Sequence, residues 1–360
     1  MPFRVLSING GGMRGIYAAS YLETMEHAFA SRRGVEALDI GKAFDLLVGT
    51  STGAIIGCGL AKGVPPSKMV KLYKDNGAKI FPRKIPSGWN LPGLFMQLFT
   101  RPGHLRRGEQ ALRTALNDTL GDATVKQIWE ERGIALAITA VKMSNYEPCV
   151  FKTPHNADSI GRDNECTLVD ICLASSAAPL FRSLAAIDHC SHGTSNVFAD
   201  GGLWANNPVI VAITESLRML KERNLENESL EIYCLGSCGK PEGNIIDKQK
   251  LARGLLGWRF GGDAVQVSIA AQEYAFDFIA QELTKHLKRD VKIINFPAGN
   301  VHGDLLNYLN IDETREKGLK ALISKAKDDA EKTNSFIRNN PDYGPLIKDL
   351  FESMPIQQKR

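Results

Sequence analysis

Two apolar runs, Phe3 to Ile8 and Phe44 to Val48, each end at a glycine-bearing segment and lead into a helical pattern. Runs that are apolar throughout, rather than alternating, suit strands buried on both faces, as in a largely parallel sheet covered by helices. The first run passes through Asn9-Gly10-Gly11-Gly12-Met13-Arg14-Gly15 into a helix predicted from Ile16 to Ala30. The second passes through Gly49-Thr50-Ser51-Thr52-Gly53 into the small-residue stretch Ala54 to Ala61. Further strands are predicted at Ile134 to Met143, Cys149 to Lys152, Val197 to Ala199, Glu231 to Leu235 and Val291 to Phe296, with helical patterns between most of them. Ile311-Asp312-Glu313-Thr314 opens a helical segment through Lys332, whose charges read as a solvated face. The fold class is α/β, a central and mostly parallel sheet flanked by helices, with no internal repeat.

Residues 78–107 differ in texture. They combine Pro82, Pro86, Pro92 and Pro102 with the apolar residues Phe81, Trp89, Leu91, Leu94, Phe95, Met96, Leu98 and Phe99, and with the cations Lys79, Arg83, Lys84, Arg101, Arg106 and Arg107. The prolines argue against one long helix. Aromatics among cations suit either a cap over the core or contact with an anionic membrane surface, and a mobile cap that touches lipid satisfies both.

With 43% hydrophobic and 23% charged residues, the 360-residue chain is long and apolar enough to bury a sizeable core. Lys plus Arg number 44 against 40 Asp plus Glu, a mild excess that fits an anionic substrate surface and gives little support for nucleic-acid binding. The seven cysteines are odd in number and scattered, so they read as buried thiols in a reducing cytosol. Cys234 and Cys238 are too widely spaced for the usual metal pair and no Cys or His cluster follows them, so no metal site is expected. Met1 to Ile8 reads as a strand and not a signal peptide, and no apolar stretch approaches the roughly 18 residues of a membrane span. Membrane contact is therefore expected to be peripheral.

Ser51 sits where a strand turns sharply into a helix, between Gly49 and Gly53. That is the setting of a nucleophile elbow, in which close backbones exclude a β-carbon and leave the hydroxyl exposed. Gly10 to Gly15 matches the glycine string of a dinucleotide-binding turn, which makes a nucleotide-binding module one reading of the chain. No acidic ribose ligand ends the next strand, where Gly49-Thr50-Ser51 stands instead. In the other reading, backbone N–H groups of such a loop at a helix start form an oxyanion hole, with Arg14 fixing the loop or adding positive potential. The base is open between two solutions. His302 is the histidine placed for a Ser-acid-His triad, since His286 falls in a helical stretch. Asp200, at a strand end before Gly201 and Gly202, is an acid able to take the serine proton directly if burial raises its basicity.

Taken together, Gly10-Gly11-Gly12-Met13-Arg14-Gly15, Gly49-Thr50-Ser51-Thr52-Gly53 and Asp200-Gly201-Gly202 resemble the patatin-like phospholipases. Leu173-Ala174-Ser175-Ser176-Ala177-Ala178-Pro179 and Leu203-Trp204-Ala205-Asn206-Asn207-Pro208 extend the match to roughly residues 3–215. The resemblance implies a three-layer fold, with a catalytic core over 1–215 that includes the cap-like insertion near 78–107. Residues 216–360 would continue the same domain with a mostly helical tail. It implies a lipid acyl hydrolase without metal or cofactor: Ser51 as nucleophile, Asp200 as general base, and the N–H groups of Gly11, Gly12 and Met13 as oxyanion hole, shaped by Gly10, Arg14 and Gly15. Asn9 stands where many relatives carry Asp. The chain is also similar to compact bacterial members that degrade membrane phospholipid when a cyclic nucleotide signal of antiviral defence binds them, which implies a cytoplasmic enzyme acting at the inner membrane surface. A constitutive lipase or acyl-thioesterase is the alternative within enzymes.

Overall fold

The computed structural model describes residues 2–82, 91–157, 159–188, 197–238, 246, 251, 252, 254, 257, 258, 262–301 and 303–358, with 91–99 as backbone. In chain order the elements are β1 (Phe3–Ile8), α1 (Gly15–Arg32), β2 (Leu46–Thr50), α2 (Thr52–Lys62), α3 (Pro66–Ile80), α4 (Leu91–Leu120), α5 (Val125–Arg132), β3 (Ala135–Lys142) and β4 (Glu147–Lys152). They continue with α6 (Leu168–Ser175), β5 (Ala185–Ala186), β6 (Val197–Asp200), α7 (Gly202–Ala205), α8 (Val209–Glu222), β7 (Leu230–Leu235), α9 (Gly262–Lys285), β8 (Val291–Asn295), α10 (Glu316–Asn339) and α11 (Gly344–Ser353).

One eight-stranded sheet runs β5-β6-β3-β2-β1-β7-β8, with β4 on β3. β1, β2, β3, β7 and β8 are mutually parallel, whereas β4, β5 and β6 pair antiparallel. Every residue of β2 and β7 is buried, as their apolar runs require, because apolar clusters cover both faces of the sheet. On one face pack α1, α2, α6 and α10; on the other, α8 lays Val209, Ala212, Ile213 and Leu220 on Val5, Val48 and Ala137. This is the three-layer α/β arrangement expected.

The register of β3 brings two chain ends together. β4 occupies one edge of β3 from Ala137 to Lys142, so β2 and β6 must share the other edge, end to end. β2 finishes with Thr50 opposite Thr139, and β6, running the other way, finishes with Asp200 opposite Ala140. Two strands 150 residues apart in sequence thus terminate on adjacent residues of a third.

Two expectations are corrected, and one holds in part. α3 stops at Ile80 and α4 begins at Leu91, so residues 78–107 are not one helix, but Pro102 lies inside the 30-residue α4; residues 83–90 of the cap lie outside the described residues. The last long helix starts at Glu316 rather than at Ile311, because Glu313 turns back to receive the Arg315 N–H at 2.8 Å. Cys166 is disulfide-bonded, its partner outside the described residues, which departs from the reading of all seven cysteines as thiols. Cys58, Cys149, Cys172, Cys234 and Cys238 are free and buried.

Along its inner face α10 presents Leu319, Leu322, Ala326, Asp329, Ala330 and Thr333, an i, i+3, i+4 set with a buried acid in it. Asp329 is satisfied by the Tyr17 hydroxyl at 2.8 Å and by Lys325 Nζ at 2.5 Å, which reconciles its burial with its charge.

Candidate active site

Ser51 lies between β2 and α2 with φ 56 and ψ −119, a conformation that favours glycine and that a serine holds only when its surroundings impose it. The surroundings are close. A β-carbon at Gly49 would collide with the backbone of Gly53, and one at Gly53 with the carbonyl oxygens of Ile8 and Asn9. Ser51 N–H donates to Ser175 Oγ at 2.8 Å, and the Thr50 hydroxyl to the Ala205 carbonyl at 2.6 Å. Gly53→Ala is expected to cost roughly 1–3 kcal/mol, because the atoms it meets are backbone and cannot turn aside. Thermal unfolding checks this, and an unshifted midpoint would show that the elbow can relax.

The Ser51 hydroxyl donates to Asp200 Oδ2 at 2.9 Å, and Gly202 N–H donates to Asp200 Oδ1 at 2.6 Å. Both side chains are buried, at 7% and 5% exposure. Burial pushes the Asp200 carboxyl up from 3.8 to about 6, against the opposing pull of the Gly202 and Ser51 hydrogen bonds and the Arg182 charge. At neutral pH Asp200 is mostly a carboxylate, yet more basic than an exposed one, which suits a proton acceptor. Its own backbone is held by Ala177, whose carbonyl accepts from Asp200 N–H at 3.1 Å. Gly201 is needed where it stands, since a β-carbon there would strike Thr139.

The glycine loop faces this pair: a β-carbon on Gly10 would lie 3.3 Å from Ser51 Cβ. The loop is anchored from three sides. Gly10 N–H donates to the Asn206 carbonyl at 2.9 Å, the Ser237 hydroxyl to the Gly10 carbonyl at 2.8 Å, and Met13 N–H to the Ile311 carbonyl at 2.8 Å. The Met13 N–H, expected as an oxyanion donor, is therefore already taken by the Ile311 carbonyl. Gly11 and Gly12 N–H have no partner among the described residues, and Gly12 holds φ 58 with the Ile311 backbone too close for a side chain. Arg14 closes the turn, Nε donating to the Gly11 carbonyl at 3.3 Å. Ser51 is also the N-cap of α2, so the positive end of that helix faces the same space.

Above the pair opens a cavity of about 630 Å³ whose walls include Ile55, Tyr73, Leu112, Phe181, Ile269 and Ile311. A largely apolar chamber with a few convergent polar groups at one end is the usual form of a site for an apolar ligand.

A family model of patatin-like phospholipases matches residues 6–213. The chain belongs to the patatin-like phospholipase family. It is 30% identical over 314 residues to a cGAMP-activated phospholipase of Escherichia coli, a match covering 86% of this chain and 80% of that protein. It is 29% identical over 344 residues to a cGAMP-activated phospholipase of Vibrio cholerae, covering 93% and 92% respectively. Among solved structures, VipD from Legionella pneumophila is similar at 12% identity over 98% of this chain and 77% of that one, with a TM-score of 0.37. As a member of this family the chain is a lipid ester hydrolase.

Of the residues singled out from the sequence of this patatin-like protein, Ser51, Asp200, Gly10 to Gly15, Gly49, Gly53, Gly201 and Gly202 all converge on one end of the sheet. His302 lies outside the described residues, and His286 directly follows the end of α9. Sequence reasoning missed Ser175 and Asn206, which hold the elbow amide and the loop. Both lie in the flanking segments that carried the family resemblance, so the signal was present without its meaning. Thr139, which hydrogen-bonds Thr50 at 2.7 Å, and Arg182 carried no signal at all. Among the described residues no helix is long and apolar enough to cross a membrane, and no cluster of His, Cys, Asp or Glu could hold a metal ion.

Proposed function

We propose that this protein hydrolyses membrane phospholipid esters by a Ser51-Asp200 dyad through an acyl-enzyme, and that a cyclic nucleotide switches it on. The observation that carries the dyad is the 2.9 Å hydrogen bond from Ser51 Oγ to Asp200 Oδ2, with no third group between them. As Ser51 Oγ attacks the ester carbonyl, its proton passes to Asp200. The tetrahedral oxyanion is met by Gly11 and Gly12 N–H and by the start of α2. Collapse expels the alcohol of the lysolipid, which takes the proton back from Asp200. Water, deprotonated by Asp200, then attacks the acyl-enzyme and releases the fatty acid. No step needs a metal or cofactor.

Activation rests on the relatives: proteins alike over most of the chain are cGAMP-activated phospholipases. The lipid enters from the membrane surface by peripheral contact at the cytoplasmic face. A fluorophosphonate probe is expected to label the protein at Ser51, located by peptide mass, and cGAMP is expected to raise fatty-acid release from phospholipid vesicles. Labelling elsewhere would remove Ser51 from the mechanism. Equal release with and without cGAMP would remove the switch, and faster turnover of soluble acyl-thioesters than of vesicles would reassign the substrate.

A further inference from the structure

Arg182 follows α6 in the loop that carries Ala177 to Phe181 past the site. It is only 6% exposed, and its guanidinium has no hydrogen-bond or ion-pair partner among the described residues; Nε is buried and wholly unsatisfied. Glu109 and Asp200 act on it only through space, and burial lowers its pKa to about 10, which leaves it charged at neutral pH. A buried charge without a partner is costly, so its retention calls for an anion that completes it.

The surroundings say which kind. Arg182 lies in the wall common to two chambers. One is the cavity beside Ser51; the other, of about 690 Å³, is lined mainly by apolar groups such as Leu105, Val141, Leu184 and Trp204. Pro179, Leu180, Arg182 and Leu203 border both. Two apolar chambers meeting at one cation match a molecule with two apolar chains joined near one anion.

Resting on the dyad reading above, we propose that Arg182 binds the phosphodiester of a diacyl phospholipid, with the scissile chain in the cavity beside Ser51 and the second chain in the adjoining one. Arg182 is then the residue that separates phospholipid from neutral glyceride. A guanidinium suits this task because its planar fork can give two parallel hydrogen bonds to phosphate oxygens.

The test compares the unaltered protein with Arg182→Gln and Arg182→Lys, all with cGAMP present, on mixed micelles of phosphatidylglycerol or of diacylglycerol with the same chains. The ratio of kcat/KM for phospholipid over diacylglycerol is expected to fall roughly tenfold or more in Arg182→Gln, and to recover in part in Arg182→Lys. An equal loss on both substrates, with the acid limb of the pH profile moved upward, would assign Arg182 to holding the charge of Asp200 and overturn the proposal. A second measurement needs no variant. Dodecylphosphocholine is expected to protect Ser51 from the fluorophosphonate at concentrations roughly tenfold below those of dodecyl maltoside; equal protection would overturn the proposal. A cyclic nucleotide is also a phosphodiester, so cGAMP binding is measured by calorimetry. If Arg182→Gln weakens it while the substrate ratio holds, the anion is the nucleotide and not the lipid. Failure of the dyad reading shows separately, as hydrolysis that survives Ser51→Ala.

Discussion

Asp200→Asn is expected to lower phospholipid hydrolysis by roughly 10³- to 10⁴-fold while raising the stability of the fold at neutral and alkaline pH. The activity loss follows from removing the group that, among the described residues, is hydrogen-bonded to the Ser51 hydroxyl. The stability gain follows from linkage. The folded protein holds the Asp200 carboxyl at about 6, above its ordinary 3.8, because burial disfavours the charge. A raised pKa means that the folded state binds the proton more tightly than the unfolded chain, so stability is highest below the unfolded value and is lost as pH rises through about 6. An amide of the same shape carries no charge to bury. Its advantage should be absent near pH 4, grow between about 4 and 6, and reach at most roughly 3 kcal/mol above that. The same titration makes the activity of the unaltered protein climb as pH rises through about 6 to a plateau. Thermal unfolding of both proteins at pH 5 and pH 8, beside a pH-rate profile, checks the prediction. A variant less stable than its parent at pH 8 would show that the Asp200 charge is well solvated or paired, contrary to its burial.

Ser51→Ala is expected to reduce hydrolysis by on the order of 10⁴-fold or more, since the attacking oxygen is gone. Alanine at φ 56 suffers the same backbone strain as serine, so its stability changes only through the lost hydrogen bond to Asp200, by roughly 1–3 kcal/mol at neutral pH. Ser51→Gly should be equally inactive but more stable than the alanine variant, by about 1–2 kcal/mol, since only it releases that strain. The double variant Ser51→Ala/Asp200→Asn should be no less active than the worse single one, because two groups that act as a unit are lost together. Steady-state release of fatty acid and thermal midpoints for the unaltered protein and the four variants decide this. Multiplying losses in the double variant would mean that Ser51 and Asp200 work independently and would remove the dyad.

The strong sequence signals were local ones. β2 is apolar because both faces of the sheet are covered, and Gly49, Ser51 and Gly53 mark the elbow because the chain must pass within contact of itself there. Asp200 was legible as an acid at a strand end followed by glycines. These follow from backbone sterics and burial, which act over a few residues and so leave a pattern in a few residues. Pro102 carried a misleading signal, because a proline removes one backbone donor and disfavours helix locally, yet the 30-residue α4 runs on through it.

What the chain by itself determined, then, was the set of chemical parts and the α/β layering. Only the tertiary structure decided their pairing. Asp200 reaches Ser51 because β2 and β6 end on the adjacent residues Thr139 and Ala140 of β3, a register no local pattern records. The Met13 N–H is taken up by the carbonyl of Ile311, nearly 300 residues away. Arg182 looks like any surface cation until folding buries it between two cavities, with no side-chain partner among the described residues. In each case the deciding interaction joins distant segments, and its strength comes from burial, which exists only once the chain has closed around it.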